Sequence, residues 1–284
     1  MGAAPQSPLT GSNAEAPLGI EYTKDGAIAT FTLANGKVNP ITGAMHRELH
    51  AAMLDFMADP DLRVGILTGA GERAFSAGDD IKHESPSSGD PVTDLLGTLG
   101  PGPVPAIAAT PDPVGYDPAD ALLRMERTKP VIGAVRGWCL GRGLFYLLRL
   151  TDIRICAPDA RFGLPEIAYG MGGIAGTMRL ASYLPATAAW ELALTGEPID
   201  ADEAARIHLV NRVVPADGLM AEAHRIAHLI ARHPPLAVRT EMEALRRSGD
   251  LDADDAYVLG STLYRQQRLA IGEPDAQDTF LYKR

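Results

Sequence analysis

The 284-residue chain is 46% apolar and 22% charged, and its 36 acidic residues against 26 basic ones give a formal net charge of −10. This composition is typical of a folded globular protein and excludes a disordered chain. The acidic balance argues against nucleic acid as the main partner. No apolar run reaches the roughly 18 residues that a membrane-spanning helix needs, so we expect no membrane association.

Residues 1–19 are rich in Ala, Pro, Ser and Gly, which predicts a disordered N-terminal tail. This segment lacks the basic and apolar regions of a signal peptide. The chain has two cysteines, Cys139 and Cys156, and no CxxC pair. We therefore expect reduced thiols and a cytoplasmic location.

The first predicted elements are a hairpin and a helix. Residues 20–23 and 27–33 are predicted strands that flank a turn at 24–26. A helix is predicted after Thr42, because apolar residues recur there at helical spacing. The residues on that apolar face are Met45, Leu49, Ala52, Met53 and Phe56.

The middle of the chain alternates strands with helices. Further strands are predicted at 64–68, 130–135 and 152–156, and helices at 144–150, 178–184 and 186–194. From residue 201 onward helices predominate, with one strand predicted at 210–214. Alternating strands and helices followed by helices alone predict an α/β core with a helical C-terminal region.

Residues 84–119 interrupt this alternation with a long stretch rich in Pro and Gly. A loop of this length inside a compact domain is uncommon, and it is usually either functional or disordered. Two interpretations therefore stay open: a mobile cover over a functional site, or a plain disordered insertion.

Three segments carry the residues that indicate chemistry. Residues 74–81 and 137–143 contain glycines that can present a bare backbone N–H, and Glu166 follows Pro165 at a predicted strand-to-helix junction. Two backbone donors facing one carboxylate suit enolate chemistry, because the donors stabilise charge on a thioester or ketone oxygen while the carboxylate moves the neighbouring proton. A glutamate that merely caps the helix start is the structural alternative.

With these residues the chain resembles the crotonase family, also called the enoyl-CoA hydratase/isomerase superfamily. The resemblance spans nearly all of residues 20–284. Its most specific segments are 74–82, 129–135 and 152–155 leading to 162–166, and residues 194–199 and 209–214 also match the family pattern. It implies a ClpP/crotonase-like spiral of ββα units over residues 20–215, and a C-terminal helical trimerisation region over 216–284. It also implies homotrimers or dimers of trimers, and an acyl-CoA thioester substrate, with coenzyme A as part of that substrate and no other cofactor.

Carried onto this sequence, the resemblance implies an oxyanion hole made by the backbone N–H groups of Asp79 and Arg142. Each follows a glycine, Gly78 or Gly141, which lets the chain approach a thioester closely. The family more often has small side chains at both donor positions. Because an acid beside a developing oxyanion would repel it, we expect Asp79 to face solvent or to pair with Lys82.

The resemblance also shows a departure. Hydratases of this family use two glutamates on opposite sides of a water molecule, and the second of them falls on Glu166. The first falls on Phe145, or on Tyr146 if the one-residue-longer segment before Asp152 shifts the match. Because neither is a carboxylate, the single remaining glutamate favours an isomerase or lyase. The alternatives are an enoyl-CoA hydratase, a C–C bond hydrolase acting on a ketone, and a non-catalytic CoA-binding protein.

An apolar surrounding of Phe145, Tyr146, Ile167 and Met171 is expected to raise the pKa of Glu166 by desolvation. The residues predicted to contact substrate are Ala77, Gly78, Ile81, Lys82, Gly141, Phe145, Tyr146, Tyr169, Met171 and Gly172. No metal site is predicted, because His46 and His50 share a helix face with no further ligand near them in sequence. Both histidines are therefore interpreted as polar-face residues of an amphipathic helix.

Overall fold

The computed structural model describes residues 19–80, 117–173 and 177–271. The predicted tail, apart from Gly19, lies outside the described residues. So do most of the 84–119 segment and two predicted site residues, Ile81 and Lys82.

Ten strands and nine α-helices occupy the described ranges. The strands are β1 (Gly19–Asp25), β2 (Ile28–Ala34), β3 (Val64–Gly69), β4 (Ala74–Ser76), β5 (Val131–Val135), β6 (Trp138–Leu140), β7 (Ile153–Cys156), β8 (Arg161–Gly163), β9 (Ile199–Asp200) and β10 (Arg212–Val213). The helices are α1 (Gly43–Ala58), α2 (Pro118–Arg124), α3 (Arg142–Leu150), α4 (Leu180–Tyr183), α5 (Ala186–Thr195), α6 (Ala201–Arg206), α7 (Leu219–Ala231), α8 (Pro235–Ser248) and α9 (Ala253–Ile271).

The larger sheet has the strand order β1-β2-β3-β5-β7-β10. Its first two strands form the predicted hairpin, with Asp25 paired to Ile28 across the turn, and the other pairs are parallel. The strands β3 and β5 are buried apolar strands, as their unbroken apolar sequences predicted.

The smaller sheet has the order β4-β6-β8-β9, and its first three strands run parallel. Each follows directly after a strand of the larger sheet: β4 after β3, β6 after β5, and β8 after β7. This repetition, with α3 closing one unit, confirms the predicted α/β fold of ββα units. Because β4, β6 and β8 are parallel neighbours, the segments that leave their carboxyl ends emerge at one edge of the sheet.

Helix α1 buries the predicted apolar face in the main core. It begins where expected, because the Thr42 side chain accepts a hydrogen bond from Met45 N at 3.3 Å and so caps a free donor of the first turn. This cap and the apolar spacing are both local sequence features, which explains why the prediction was accurate.

Two predicted elements are shorter than expected. The helix predicted at 178–184 is regular only over Leu180–Tyr183. The strand predicted at 210–214 is reduced to Arg212–Val213, because the backbone N–H groups of Leu209 and Val210 donate to Ala204 O at the end of α6 instead of pairing with β7.

The C-terminal helices pack on the core and on one another. Helix α7 buries Leu219, Ala223, Ile226 and Ala227 against the larger sheet. Helix α8 is joined to the core by Arg246, which donates to Asp152 Oδ1 at 2.9 Å. No helix within the described residues is long and apolar enough to cross a bilayer.

Candidate active site

The two glycine segments meet at the carboxyl edge of the smaller sheet. Gly78 follows β4 with φ +97° and Gly141 follows β6 with φ +51°, conformations that favour glycine. A Cβ atom placed on Gly78 would lie 3.2 Å from Leu140 O and 3.5 Å from Arg142 N. The two loops therefore approach each other so closely that a side chain on Gly78 would crowd the backbone of the loop after β6.

The N–H groups of Asp79 and Arg142 are available at this meeting point. Ile41 N donates to Gly78 O and Asp80 N donates to Ile41 O, at 2.8 and 2.9 Å, so the intervening Asp79 N–H points away from Ile41. Arg142 is the first residue of α3, whose opening N–H groups have no partner within the helix. Within the described ranges neither N–H donates a hydrogen bond, so both can serve a ligand oxygen.

Glu166 reaches the same place from β8, on a short 3₁₀ helix over Pro165–Tyr169. Its Oε1 atom would lie only 2.7 Å from a Cβ on Gly141. Its Oε2 atom is buried and has no hydrogen-bond partner among the described residues. Glu166 lies in the first turn of the 3₁₀ helix, which is also the position that the capping alternative assigns to it.

Burial raises the pKa of Glu166 above its usual range. A hydrogen bond from its own backbone N–H and the charge of Arg142 oppose this shift, whereas the charge of Asp79 adds to it. A carboxyl group with a raised pKa is better matched to accepting and returning a proton near neutral pH.

Phe145 lies beside Glu166, and Tyr146 is turned elsewhere. A Cβ on Gly173 would lie 3.2 Å from Phe145 Cζ and 3.8 Å from Glu166 Cδ, which places both side chains against this glycine. The Tyr146 hydroxyl lies 2.6 Å from His46 Nδ1. Phe145 and Glu166 therefore lie against the same glycine, whereas the Tyr146 hydroxyl is directed to His46.

A cavity of about 370 Å³ opens next to Glu166. Besides the carboxylate it is lined by Gly172, a predicted substrate contact, and by Ile167, which was expected in the apolar surrounding of Glu166. Its wall also contains apolar residues that the sequence analysis missed, namely Met178, Leu180, Trp190 and Leu194. The helical spacing of Trp190 and Leu194 on α5 was the one available signal for part of this wall.

The remaining predicted contacts differ in position. Ala77 directly precedes Gly78 in the loop after β4. Tyr169 and Met171 are 68% and 48% exposed, and neither lines the cavity. A separate cavity of about 330 Å³ is lined by basic groups such as Arg63, Lys129 and Arg239 rather than by a carboxylate, so it does not offer comparable chemistry.

Asp79 does not face solvent, which corrects one of the two expectations for it; the other, a pair with Lys82, lies outside the described residues. Its Oδ2 atom accepts from Arg142 Nε at 3.0 Å, and its Oδ1 atom lies 3.3 Å from His46 Nε2. Burial alone would raise the pKa of Asp79, but the hydrogen bond from His46 and the charge of Arg142 lower it overall. The interpretation of His46 as a residue of an exposed polar face is also wrong, because its side chain is buried in this cluster.

Removing the Tyr146 hydroxyl is expected to destabilise the fold. Tyr146→Phe leaves the buried His46 Nδ1 without its partner, which should lower the free energy of unfolding by about 1–3 kcal/mol. Urea denaturation measures this difference. Tyr169→Phe changes a tyrosine that is 68% exposed and serves as the control, with an expected effect below about 0.5 kcal/mol.

The raised pKa of Glu166 predicts a pH-dependent stability difference. In the folded state the group binds its proton more tightly than in the unfolded state, whose pKa is near 4.5. The folded protein is therefore penalised as pH rises from about 4.5 through the folded pKa. Glu166→Gln should be more stable than wild type at pH 7, and this advantage should disappear as pH falls below 4.5.

Thermal melts at several pH values, with the exposed Glu241→Gln as the control, measure this difference. A stability difference for Glu166→Gln that is constant with pH would contradict the raised pKa.

Comparisons with known proteins agree on one family. A profile of the enoyl-CoA hydratase/isomerase family matches residues 23–110 and 115–266. Carnitinyl-CoA dehydratases of Shigella flexneri and Citrobacter koseri are 35% and 34% identical over 239 residues, which cover 84% of this chain and of each relative.

Solved structures agree as well. An enoyl-CoA hydratase subunit of Geobacillus kaustophilus aligns with a TM-score of 0.74 at 30% identity, over 88% of this chain and 89% of the other. An enoyl-CoA hydratase of Bacillus anthracis aligns with a TM-score of 0.74 at 28% identity, over 89% and 92%.

Proposed function

Because the chain belongs to the enoyl-CoA hydratase/isomerase (crotonase) family, we propose that it binds an acyl-CoA thioester and reacts it through an enolate. The observation that carries this proposal is the meeting of three groups at one sheet edge: the Asp79 N–H, the Arg142 N–H and the Glu166 carboxylate. Coenzyme A enters as part of the substrate, and we propose no other cofactor.

The proposed steps use these groups directly. The thioester oxygen accepts hydrogen bonds from the two N–H groups, while Glu166 removes a proton from the carbon next to the carbonyl. The C–H electron pair moves into the carbon–carbon bond, and the carbonyl pair moves onto the oxygen, where the two donors stabilise the charge. Glu166 then returns the proton, and the carbon that receives it determines the product.

Within this chemistry we propose an isomerase or lyase reaction. Phe145 supports this choice, because it presents a phenyl ring instead of a second carboxylate beside Glu166. The second candidate is a hydratase-type lyase, which the name of the carnitinyl-CoA dehydratase relatives favours. Elimination of water needs a proton for the leaving hydroxyl, and Glu166 would supply it after taking the proton from the neighbouring carbon.

Deuterium exchange tests the proposal. Wild-type protein is incubated in D₂O with butyryl-CoA, crotonyl-CoA, 3-butenoyl-CoA and 3-hydroxybutyryl-CoA, and deuterium at each carbon is followed by NMR. We expect exchange at the carbon next to the carbonyl, together with interconversion of crotonyl-CoA and 3-butenoyl-CoA. Formation of crotonyl-CoA from 3-hydroxybutyryl-CoA would identify the hydratase-type candidate. Binding without exchange on any thioester would contradict enolate chemistry.

We also propose that the chain assembles as a homotrimer or dimer of trimers through its C-terminal helices. Large apolar side chains on α9 are exposed in the single chain, which is typical of a protein–protein contact surface. They are Tyr257, Val258, Tyr264 and Leu269. Sedimentation equilibrium measures the assembly.

We propose the cytoplasm as the location of the protein. The two free, buried cysteines are compatible with that reducing compartment.

A further inference from the structure

The side chains of the two donor residues are paired with each other. Arg142 Nε lies 3.0 Å from Asp79 Oδ2 and 3.4 Å from Asp79 Oδ1, and these side chains are only 20% and 24% exposed. Each side chain belongs to the residue whose own N–H points into the site. An ion pair between the side chains therefore constrains the distance between the two N–H groups through a few covalent bonds.

We propose that the Asp79–Arg142 ion pair is a clamp that holds the two backbone donors of the oxyanion hole at their working separation. This inference rests on the proposed function, since it assigns a positioning role for the same reaction. Neither side chain is required to touch the reacting atoms.

A second set of contacts holds the clamp in place. His46 Nε2 lies 3.3 Å from Asp79 Oδ1, and His46 Nδ1 lies 2.6 Å from the Tyr146 hydroxyl. Asp79 is thereby tied to α1 through His46, and Arg142 and Tyr146 both belong to α3. Both Asp79 oxygens have partners, so this carboxylate is occupied as a positioning group and is not a free substitute for a second catalytic acid.

The clamp also explains how two unfavourable residues coexist beside a developing negative charge. An unpaired Asp79 carboxylate would repel the oxyanion. An unpaired Arg142 would leave a positive charge uncompensated in a largely buried site. Paired at 3.0 Å, their charges largely cancel. The remaining effect is geometric, and geometry matters because an oxyanion hole stabilises charge only when its donors are placed within a few tenths of an ångström.

The test compares Asp79→Ala, Arg142→Ala and the double variant. All three keep both backbone N–H groups, and the double variant removes both charges together, so its loss comes from donor placement and not from an unpaired charge. The first readout is the rate constant for exchange at the carbon next to the carbonyl of butyryl-CoA. The second is the absorption of bound dimethylaminocinnamoyl-CoA, which moves to longer wavelength when its carbonyl oxygen accepts strong hydrogen bonds. Melting temperatures separate placement effects from unfolding.

We expect each single variant to exchange about 10- to 100-fold more slowly, with a smaller wavelength shift and a probe Kd within about threefold of wild type. The double variant should exchange no more slowly than the slower single variant, because either single substitution already removes the whole ion pair and the two effects are therefore not additive. Arg142→Lys, which keeps the charge but not the planar fork, should fall between wild type and Arg142→Ala.

A matched control uses an ion pair of the same residue types at the other end of the same strands. Arg136 Nε lies 3.2 Å from Asp159 Oδ2, just before β6 and β8 begin, and the double variant Arg136→Ala/Asp159→Ala should leave both readouts unchanged.

Two results would overturn the clamp while leaving the proposed function intact: multiplicative losses in the double variant, or an undiminished wavelength shift. An undiminished shift with weakened probe binding would make Arg142 a substrate-binding group. A wild-type protein that neither shifts the probe nor exchanges butyryl-CoA would overturn the proposed function and the clamp with it.

Discussion

Glu166→Gln is expected to slow exchange at the carbon next to the thioester carbonyl by about 10³-fold or more, close to the upper part of the range for loss of a general base. The amide keeps the shape of the side chain, but it cannot accept the substrate proton at neutral pH. The raised pKa of Glu166 makes the carboxylate a better base than an exposed glutamate would be. NMR-detected exchange of butyryl-CoA in D₂O measures the loss directly.

The affinity for acyl-CoA separates the loss of chemistry from the loss of binding. We expect the Kd to change by less than about threefold, because the two backbone donors are untouched. Glu72→Gln, on an exposed glutamate at the far end of the smaller sheet, is the control and should exchange at the wild-type rate. Exchange in Glu166→Gln within a few-fold of wild type would mean that another group carries the proton.

Gly141→Ala is expected to reduce exchange by about 10²-fold or more, since it affects both a donor and the base. Gly141 has φ +51° and ψ −123°, a combination that side chains other than glycine rarely adopt, so an alanine there is strained by about 1–3 kcal/mol. The new methyl group would also lie 2.7 Å from Glu166 Oε1, so the carboxylate or the loop must move. Exchange kinetics and the absorption shift of a bound chromophoric thioester report on the two effects together.

The hairpin glycine Gly26 provides a matched control. Its φ of +53° is nearly that of Gly141, but a Cβ there meets nothing within 4 Å. Gly26→Ala therefore introduces an alanine at positive φ without the collision, and it should lower the melting temperature while leaving the exchange rate constant unchanged. An active Gly141→Ala protein with a normal absorption shift would show that the loop after β6 does not form the oxyanion hole.

Elements with a local pattern were predicted accurately. The hairpin follows from two strand-forming runs around a turn with Gly26, and α1 follows from its apolar spacing and the Thr42 cap. The buried strands β3 and β5 were recognised because unbroken apolar runs of five or six residues suit a parallel strand covered on both faces.

No local pattern predicted the strands of the smaller sheet, which only the family resemblance implied through its ββα units. Strands β6 and β8 have three residues each and β9 has two, so none is long enough to show a periodic pattern. These short strands nevertheless decide the site, because their parallel pairing with β4 brings three separate loops to one edge. The strand predicted at 210–214 is present but shorter for a related reason, since Val210 N–H donates to Ala204 O, an acceptor that only the fold brings near it.

The sequence alone shows the residue types that enolate chemistry needs. It also shows that Phe145 stands where hydratases of the family have their first glutamate. Both observations depend only on residue identity and order. The contacts that these residues make cannot be read from the sequence. Asp79 pairs with Arg142 across 63 positions and His46 with Tyr146 across 100, whereas the sequence suggested solvent or Lys82 for Asp79 and a polar helix face for His46. Local propensity acts over one or two turns of chain, but side-chain contacts across a core are created by strand pairing and packing. Only the tertiary structure could therefore place Phe145, rather than Tyr146, beside Glu166.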